Sequence, residues 1–371
     1  MAPALLPEGF RDRLPPEAGR RARLLDRILG VISAHGYERV EPPLVEFEES
    51  LTRWLASAAA DGLIRASDPA SGRALVLRPD ITGQIARIAA TRLAEAPRPL
   101  RLAYGGRVLR ARGTELDPAR ERTQAGAELV GADSPHAVAE VVMVALEALE
   151  ACGVEAVSVD LTLPDLVPRL AAGPWPVAQG ADVARALDMR DLSALDAPDR
   201  RPYRALLEVP GEAGPALSRL RALDLPPPFP ALFDRLEAVV RAVPRARVTI
   251  DPCERHGFAY HSWVGFTLFG TARGRPFRTE VGRGGAYVIL RPDGREEPAS
   301  GFSLYVDPLA EAGLGDAPAP RLFLPLGTPE AVARGLRAEG WCTVAALTEA
   351  DDARALGCTH RWQDGRVVEA G

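Results

Sequence analysis

The stretch Leu100–Gly131, LRLAYGGRVLRARGTELDPARERTQAGAELVG, decides how the rest of the chain is read. Leu100 to Arg112 has a strand composition: Leu102, Tyr104, Val108 and Leu109 are β-formers, with arginines at 101, 107, 110 and 112. Gly113, Asp117 and Pro118 break the pattern, and Glu121 to Val130 returns as a second strand. The expectation is a long antiparallel hairpin whose arginines and carboxylates share one face. Arg110, Gln124 and Glu128 on one side would suit a small zwitterion. Arginine grips a carboxylate through two charge-assisted bonds, and a carboxylate holds an ammonium. A solvated outer face laced with ion pairs fits the same spacing, because charged side chains are mostly exposed.

The chain has 371 residues, room for about two or three domains. Its 47% hydrophobic and 26% charged content is that of an ordinary globular protein. A net charge of −5 offers no broad basic surface, so no nucleic-acid partner is expected. Residues 1–15 lack the apolar core of a signal peptide, and no run is long enough to span a membrane. Cys152, Cys253, Cys342 and Cys358 lie far apart without a C-x-x-C pair, which argues against zinc ribbons and disulfide frameworks. A cytoplasmic protein without membrane contact is the expectation. All 45 basic residues are arginine. Without lysine there is neither a phosphate-loop lysine nor a Schiff base to pyridoxal phosphate. Neither cofactor nor resident metal is expected. Asparagine is absent too, a compositional bias rather than a functional choice.

In chain order, Glu17 to His35 is an amphipathic helix with Leu24, Leu25, Ile28, Leu29 and Ile32 at helical spacing, stopped by Gly36. A short strand at Tyr37–Glu41 ends at Pro42-Pro43. A helix over Leu51–Ala60, a strand at Ala74–Arg78 and a helix at Ile81–Ala94 precede the hairpin. An apolar, buried helix at Pro135–Cys152 and a strand at Val157–Leu163 follow it. Residues 164–243 switch to helical periodicity with proline-rich joints and read as a helical insert. Strands return at Arg247–Asp251, Ala259–Phe269, Ala286–Leu290 and Gly301–Val306. The expected organisation is α+β: an antiparallel sheet with helices packed on one side over residues 1–316, and a small C-terminal αβ unit over 317–371.

LRPDITGQIAR (Leu77–Arg87) puts Asp80 and Thr82 at a strand-to-helix junction. Asp80 can cap the helix or hold a substrate ammonium. His256 and His261, five apart on an expected strand, point to opposite faces and make no chelating pair. Tyr260 and His261 can shape an aromatic polar pocket. VGRGGAY (Val281–Tyr287) does not fit a dinucleotide fingerprint; its glycines mark a bulge or a close backbone approach to a ligand. Nothing singles out a nucleophile, so no catalytic residue is assigned.

Together these pieces resemble the class II aminoacyl-tRNA synthetase fold, in its histidyl-tRNA synthetase branch. Helix Glu17–His35 with GYERVEPPLVE is similar to the first class motif, at the dimer interface. YGGRVLRAR resembles the second, with Arg110 at its characteristic arginine. LRPDIT is similar to the segment that holds the histidine amino group, which implies that role for Asp80 with Thr82 beside it. QAGAELVG resembles the segment that gives Gln124 and Glu128 to bound histidine. GFAYHSW resembles the histidine signature whose two adjacent aromatics close over the imidazole, here Tyr260 and His261. GGAY resembles the strand that offers a tyrosine, here Tyr287. The resemblance covers roughly residues 5–310.

The departures bear on function. Arg112 replaces the acidic residue two after the arginine of the second motif. Pro308 stands where the third motif should end in an ATP-binding arginine, and proline cannot clamp a phosphate. The arginine of the histidine signature aligns with His256, with Arg255 adjacent. The anticodon-binding domain is missing or cut well short. That combination resembles the regulatory subunits of ATP phosphoribosyltransferase, a synthetase paralogue family of histidine biosynthesis. The resemblance implies a chain without catalysis of its own, required by a short-form catalytic subunit and involved in feedback inhibition by histidine. It also implies a hetero-octamer built on self-dimers. The alternative is a divergent synthetase-like enzyme that activates an amino acid with ATP.

Overall fold

Leu24, Ile28, Leu29 and Ile32 form the buried stripe of α1 (Glu17–Ala34). The computed structural model describes residues 6–54, 62–113, 117–254, 260–316 and 320–370. It divides into two units, Met1–Gly315 and Asp316–Gly371. After α1 come β1 (Glu38–Arg39), β2 (Val45–Phe47), α2 (Glu48–Thr52), β3 (Ile64–Ser67), β4 (Ala74–Leu77) and α3 (Thr82–Thr91). The hairpin of β5 (Leu100–Leu109) and β6 (Glu121–Val130) leads to α4 (Pro135–Ala151) and β7 (Glu155–Thr162). The insert contains α5 (Leu166–Ala172), α6 (Gly180–Asp188), two 3-10 segments, the two-residue β8 (Gly211–Glu212), α7 (Ala213–Ala222) and α8 (Phe229–Ala242). Next come β9 (Arg247–Ile250), β10 (His261–Ala272), β11 (Arg275–Pro276), β12 (Gly282–Leu290), β13 (Glu296–Tyr305) and α9 (Val306–Glu311).

These strands make a ten-stranded sheet in the order β1-β5-β6-β13-β12-β10-β7-β9-β8, with β11 attached to β10. From β5 to β7 every pair is antiparallel. The expected all-antiparallel sheet needs correction at its flanks, where β1 runs parallel to β5 and β9 parallel to β7. Helices also cover both faces rather than one. On one face, α1, α4 and α8 bury Leu24, Val141 and Leu236 in the same core as Phe266, Leu268, Phe302 and Leu304. On the other, α3 packs Ile81 and Ile85 against Leu102 and Tyr104, and Ala86 and Ala89 against Tyr287 and Ile289.

The local reasons are visible. α4 is apolar almost all round, as its sandwiched position requires; Ser134 caps it, its Oγ accepting from Ala137 N at 3.1 Å, and Pro135 opens it. The helix expected from Leu51 begins earlier, at Glu48, and residues 55–61 lie outside the described ones. Strands β2 and β3, absent from the sequence reading, flank β4 in a separate three-stranded sheet. They are short and largely exposed, and so carry little hydrophobic pattern. The insert is helical apart from β8, which joins the edge of the large sheet beside β9. The expected face of the central hairpin splits by parity. Arg101 and Arg107 point away from Gln124 and Glu128: Arg101 Nε bonds Glu140 at 2.8 Å, and Arg107 Nη1 bonds Glu121 at 2.6 Å.

The C-terminal unit has its own four-stranded sheet. It is built from β14 (Arg321–Leu324), β15 (Cys342–Ala345), β16 (His360–Gln363) and β17 (Arg366–Glu369), with α10 (Glu330–Ala338) against it. Its apolar residues form two small clusters around Leu322 and Phe323.

The glycines of β12 lie in a strand, and Gly284 is packed against neighbouring protein atoms. A Cβ on Gly284 would sit 2.3 Å from Gly301 O and 2.3 Å from Phe266 Cζ. Gly30, on the exposed side of α1, has nothing within 4 Å. Gly284→Ala should therefore destabilise by at least about 1–3 kcal/mol, the range for overpacking. Gly30→Ala should stabilise by about 0.5–1 kcal/mol through helix propensity. Urea unfolding of both variants checks the pair; equal effects would contradict this packing.

Candidate functional site

On the α3 face of the hairpin, alternate residues of β6 converge with β5, β12 and β13. Gln124 and Glu128 lie opposite Gly106 and Leu102 on β5, so Tyr104 shares their side. Both are 1% exposed. Tyr104 OH donates to Glu128 Oε1 at 3.2 Å, and Tyr287 OH donates to Glu128 Oε2 at 2.8 Å. Gly301 faces Glu128 across β13–β6, and a Cβ there would lie 1.6 Å from Glu128 Oε2. The glycine is needed because the carboxylate occupies its side-chain space.

Of the two roles open to Asp80, the helix-entry bond is the one formed. Its Oδ1 accepts from Thr82 N at 2.7 Å at the entry to α3, and its Oδ2 accepts from Gln124 Nε2 at 2.7 Å. Gln124 in turn accepts from Ile81 N at 3.2 Å and donates to Ser303 Oγ at 2.5 Å. Ser303 Oγ also lies 2.8 Å from Tyr104 OH, and Thr82 Oγ1 lies 3.4 Å from that hydroxyl. One continuous polar network thus joins Asp80, Thr82, Tyr104, Gln124, Glu128, Tyr287 and Ser303.

The aromatic wall forms beside it. Tyr260 stands edge-on to His261 at 5.1 Å and to Tyr287 at 5.6 Å between ring centroids. A narrow cavity is lined by Thr82, Glu128, Tyr260, His261, Tyr287 and Ser303, with Arg283 also at its edge. Arg110 is the outlier among the expected site residues. It lies just beyond β5, half-buried, continuing the ladder through its N–H to Arg120 O at 2.8 Å. Its charge still reaches Asp80. Arg255 and His256 lie outside the described residues.

Burial sets the electrostatics. It raises Glu128 to about 8, helped by the neighbouring charge of Asp80 and opposed by hydrogen bonds from Tyr287, Thr82 and Tyr104. It also raises Asp80, against the hydrogen bonds from Gln124 and Thr82 and the charge of Arg110. His261 moves the other way, to about 4, through burial and the charge of Arg283, so its ring is neutral at pH 7. Chemically the cavity offers the Glu128 carboxyl, the Thr82 and Ser303 hydroxyls and aromatic walls, and Asp80 and Gln124 join it through the network. Among the described residues no His, Cys, Asp or Glu side chains cluster as metal ligands. No helix among them is long and apolar enough to cross a membrane.

Sequence reasoning missed Tyr104, Ser303 and Gly301. Tyr104 read only as a β-former, although its even numbering across the hairpin puts it beside Gln124 and Glu128. Ser303 and Gly301 become visible only once β13 is registered against β6, opposite Gly126 and Glu128. Arg122 was also missed. It lies 8% exposed two positions before Gln124, paired with Asp117 and 5.7 Å from the Tyr305 ring.

A family model described as histidyl-tRNA synthetase matches residues 9–309. A Paramagnetospirillum magneticum protein named ATP phosphoribosyltransferase regulatory subunit is 44% identical over 378 residues, covering 99% of this chain and 98% of its own. A Rhodospirillum centenum protein of the same name is 44% identical, covering 99% of this chain and 96% of its own. A solved structure of an ATP phosphoribosyltransferase regulatory subunit/histidyl-tRNA synthetase from Bacillus halodurans superposes with a TM-score of 0.79 at 26% identity, covering 95% of both chains. The class II synthetase-like sheet and these full-length matches agree: the chain belongs to the histidyl-tRNA synthetase family, in its branch of ATP phosphoribosyltransferase regulatory subunits.

Proposed function

We propose that this chain acts without catalysis of its own, as a subunit that a short-form ATP phosphoribosyltransferase catalytic subunit requires for activity and through which histidine exerts feedback. It works in the cytoplasm as part of a hetero-octamer built on self-dimers. The observation that supports this reading is the buried network joining Asp80, Thr82, Gln124, Glu128 and Tyr287, taken together with Pro308 where the resemblance expects an ATP-binding arginine. Asp80 and Glu128 take the ammonium and imidazole N–H groups, with Thr82 beside Asp80. Gln124 and Arg110 take the carboxylate. Tyr260, His261 and Tyr287 wall the ring. Without a cation at Pro308 the charge developing on ATP phosphates loses a partner, which favours binding over adenylate formation. Feedback further requires histidine to bind two states of the complex unequally, since equal affinity shifts no equilibrium.

The test is reconstitution with a short-form catalytic subunit, following phosphoribosyl-ATP formation. Activity should rise on mixing and fall when histidine is added. An unchanged rate, together with histidine-dependent exchange of pyrophosphate into ATP by the chain alone, would favour the synthetase-like alternative instead.

Glu128→Ala should weaken histidine binding by about 1.5–3 kcal/mol in a calorimetric titration, the range for hydrogen bonds to charged groups. Unchanged affinity would remove Glu128 from the site. The same titration has a predicted pH dependence. Glu128 sits at about 8 in the free protein. A ligand cation beside it favours the carboxylate and lowers that value, so a proton leaves on binding. Affinity should rise with pH, by at most about tenfold per unit, and level off above about 8. Glu128→Gln should flatten the profile.

A further inference from the structure

A second cavity lies on the opposite face of the same strands. It occupies about 300 Å³ between the sheet, the start of α4 and the N-terminal half of α8, near Arg169 of α5. The volume is at the lower end of ligand sites. Val138, Ala231, Leu232, Ala286 and Ala299 give it a mainly apolar lining.

Two polar groups in that lining lack partners. Ser300 is 1% exposed, and its Oγ has no hydrogen bond among the described residues. Arg235 Nε is likewise buried without an acceptor, although Arg235 Nη2 pairs with Asp133 and its guanidinium lies 4.2 Å above the Trp263 ring. A buried donor without a partner costs stability and requires an explanation. Both groups can donate, so both are satisfied by an acceptor oxygen. Water alone is a poor occupant: at about 30 Å³ per molecule the cavity would hold several, most of them against carbon.

We propose that this cavity binds a small organic carboxylate with an apolar body. Its oxygens accept from Ser300 and Arg235, and its body rests on Leu232, Ala231 and Val138. Tyr287 lines both cavities, but the Ser300 side of this one is distinct from the Glu128 pocket. Ser300 and Gly301 are neighbours in β13 yet face opposite sides of the sheet, Gly301 toward Glu128 and Ser300 toward α4.

The probe is benzoate, with benzamide as its neutral counterpart, titrated into the full chain by saturation-transfer NMR and by the fluorescence difference between wild type and Trp263→Phe. Benzoate should bind saturably and benzamide at least about tenfold more weakly, as expected where the contact depends on charge. Ser300→Ala should weaken benzoate by about tenfold or more. Ala231→Trp, which fills the space, should abolish binding. Glu128→Ala should leave it unchanged. Circular dichroism melts show whether each variant is folded; should Ser300→Ala not fold, Arg235→Gln, altered at the cavity rim, carries the same expectation. The proposal is overturned by the absence of saturable benzoate binding, by equal binding of benzamide, by wild-type affinity in the cavity variants, or by loss of binding in Glu128→Ala.

Discussion

A carboxyl group taken out of water costs free energy unless its neighbours replace the hydration, and Glu128 is where this fold meets that cost. Tyr104 and Tyr287 each give one of its oxygens a hydroxyl donor. Gly301 leaves it the space that a side chain would take. Those three residues sit on three different strands, so the pairings β5–β6, β6–β13 and β13–β12 must all hold their register for one side chain to be accommodated. A one-residue slip would turn every such group to the other face. The same burial raises Glu128 to about 8.

The sheet is also a partition. Its α3 face carries the polar network and the aromatic wall; its other face carries the main core under α1, α4 and α8. Around the N-terminus a second set of charges ties separate elements together. Asp307 of α9 pairs with Arg13 at 3.0 Å and with Arg21 of α1 at 3.2 Å, and accepts from Thr123 N of β6 at 2.5 Å. Pro308 follows directly in the same short helix, its carbonyl accepting from Ala312 N at 3.0 Å. The end of this strand is therefore structurally occupied: the Asp307 carboxylate anchors α1, and Pro308 lies in the first turn of the helix that leaves the sheet.

Much of this was legible from the residues alone. The hairpin, α1, α4 and the helical character of the insert follow from period and from breakers such as Gly36 and Pro135, and these signals depend only on near neighbours. Gln124 and Glu128 could be gathered as candidates from their types and spacing, whereas Asp80 joined them through the family resemblance of LRPDIT. What pairs across strands was not legible. Tyr104 and Ser303 meet over nearly 200 positions, through a register that no local pattern encodes. The short strands β2 and β3 escaped because exposed strands of three and four residues show almost no alternation. Arg101 and Arg107 were misplaced for the opposite reason: their charge drew attention, whereas their odd numbering fixed the face.

Strand β10 enters the sheet irregularly. His261 pairs with Tyr287 and Gly265 with Gly285, so four steps along β10 match two along β12. His261 lines the Glu128 cavity over the space left by Gly265 and Gly285, and Trp263, two residues on, lies in the opposite core. Regular alternation would have sent both to the same side. The bulge therefore makes this segment intolerant of length change in evolution. Most loops of the chain can gain or lose a residue at their own expense. Loss of one residue between His261 and Gly265 would change the parity that places His261 and Trp263 on opposite faces.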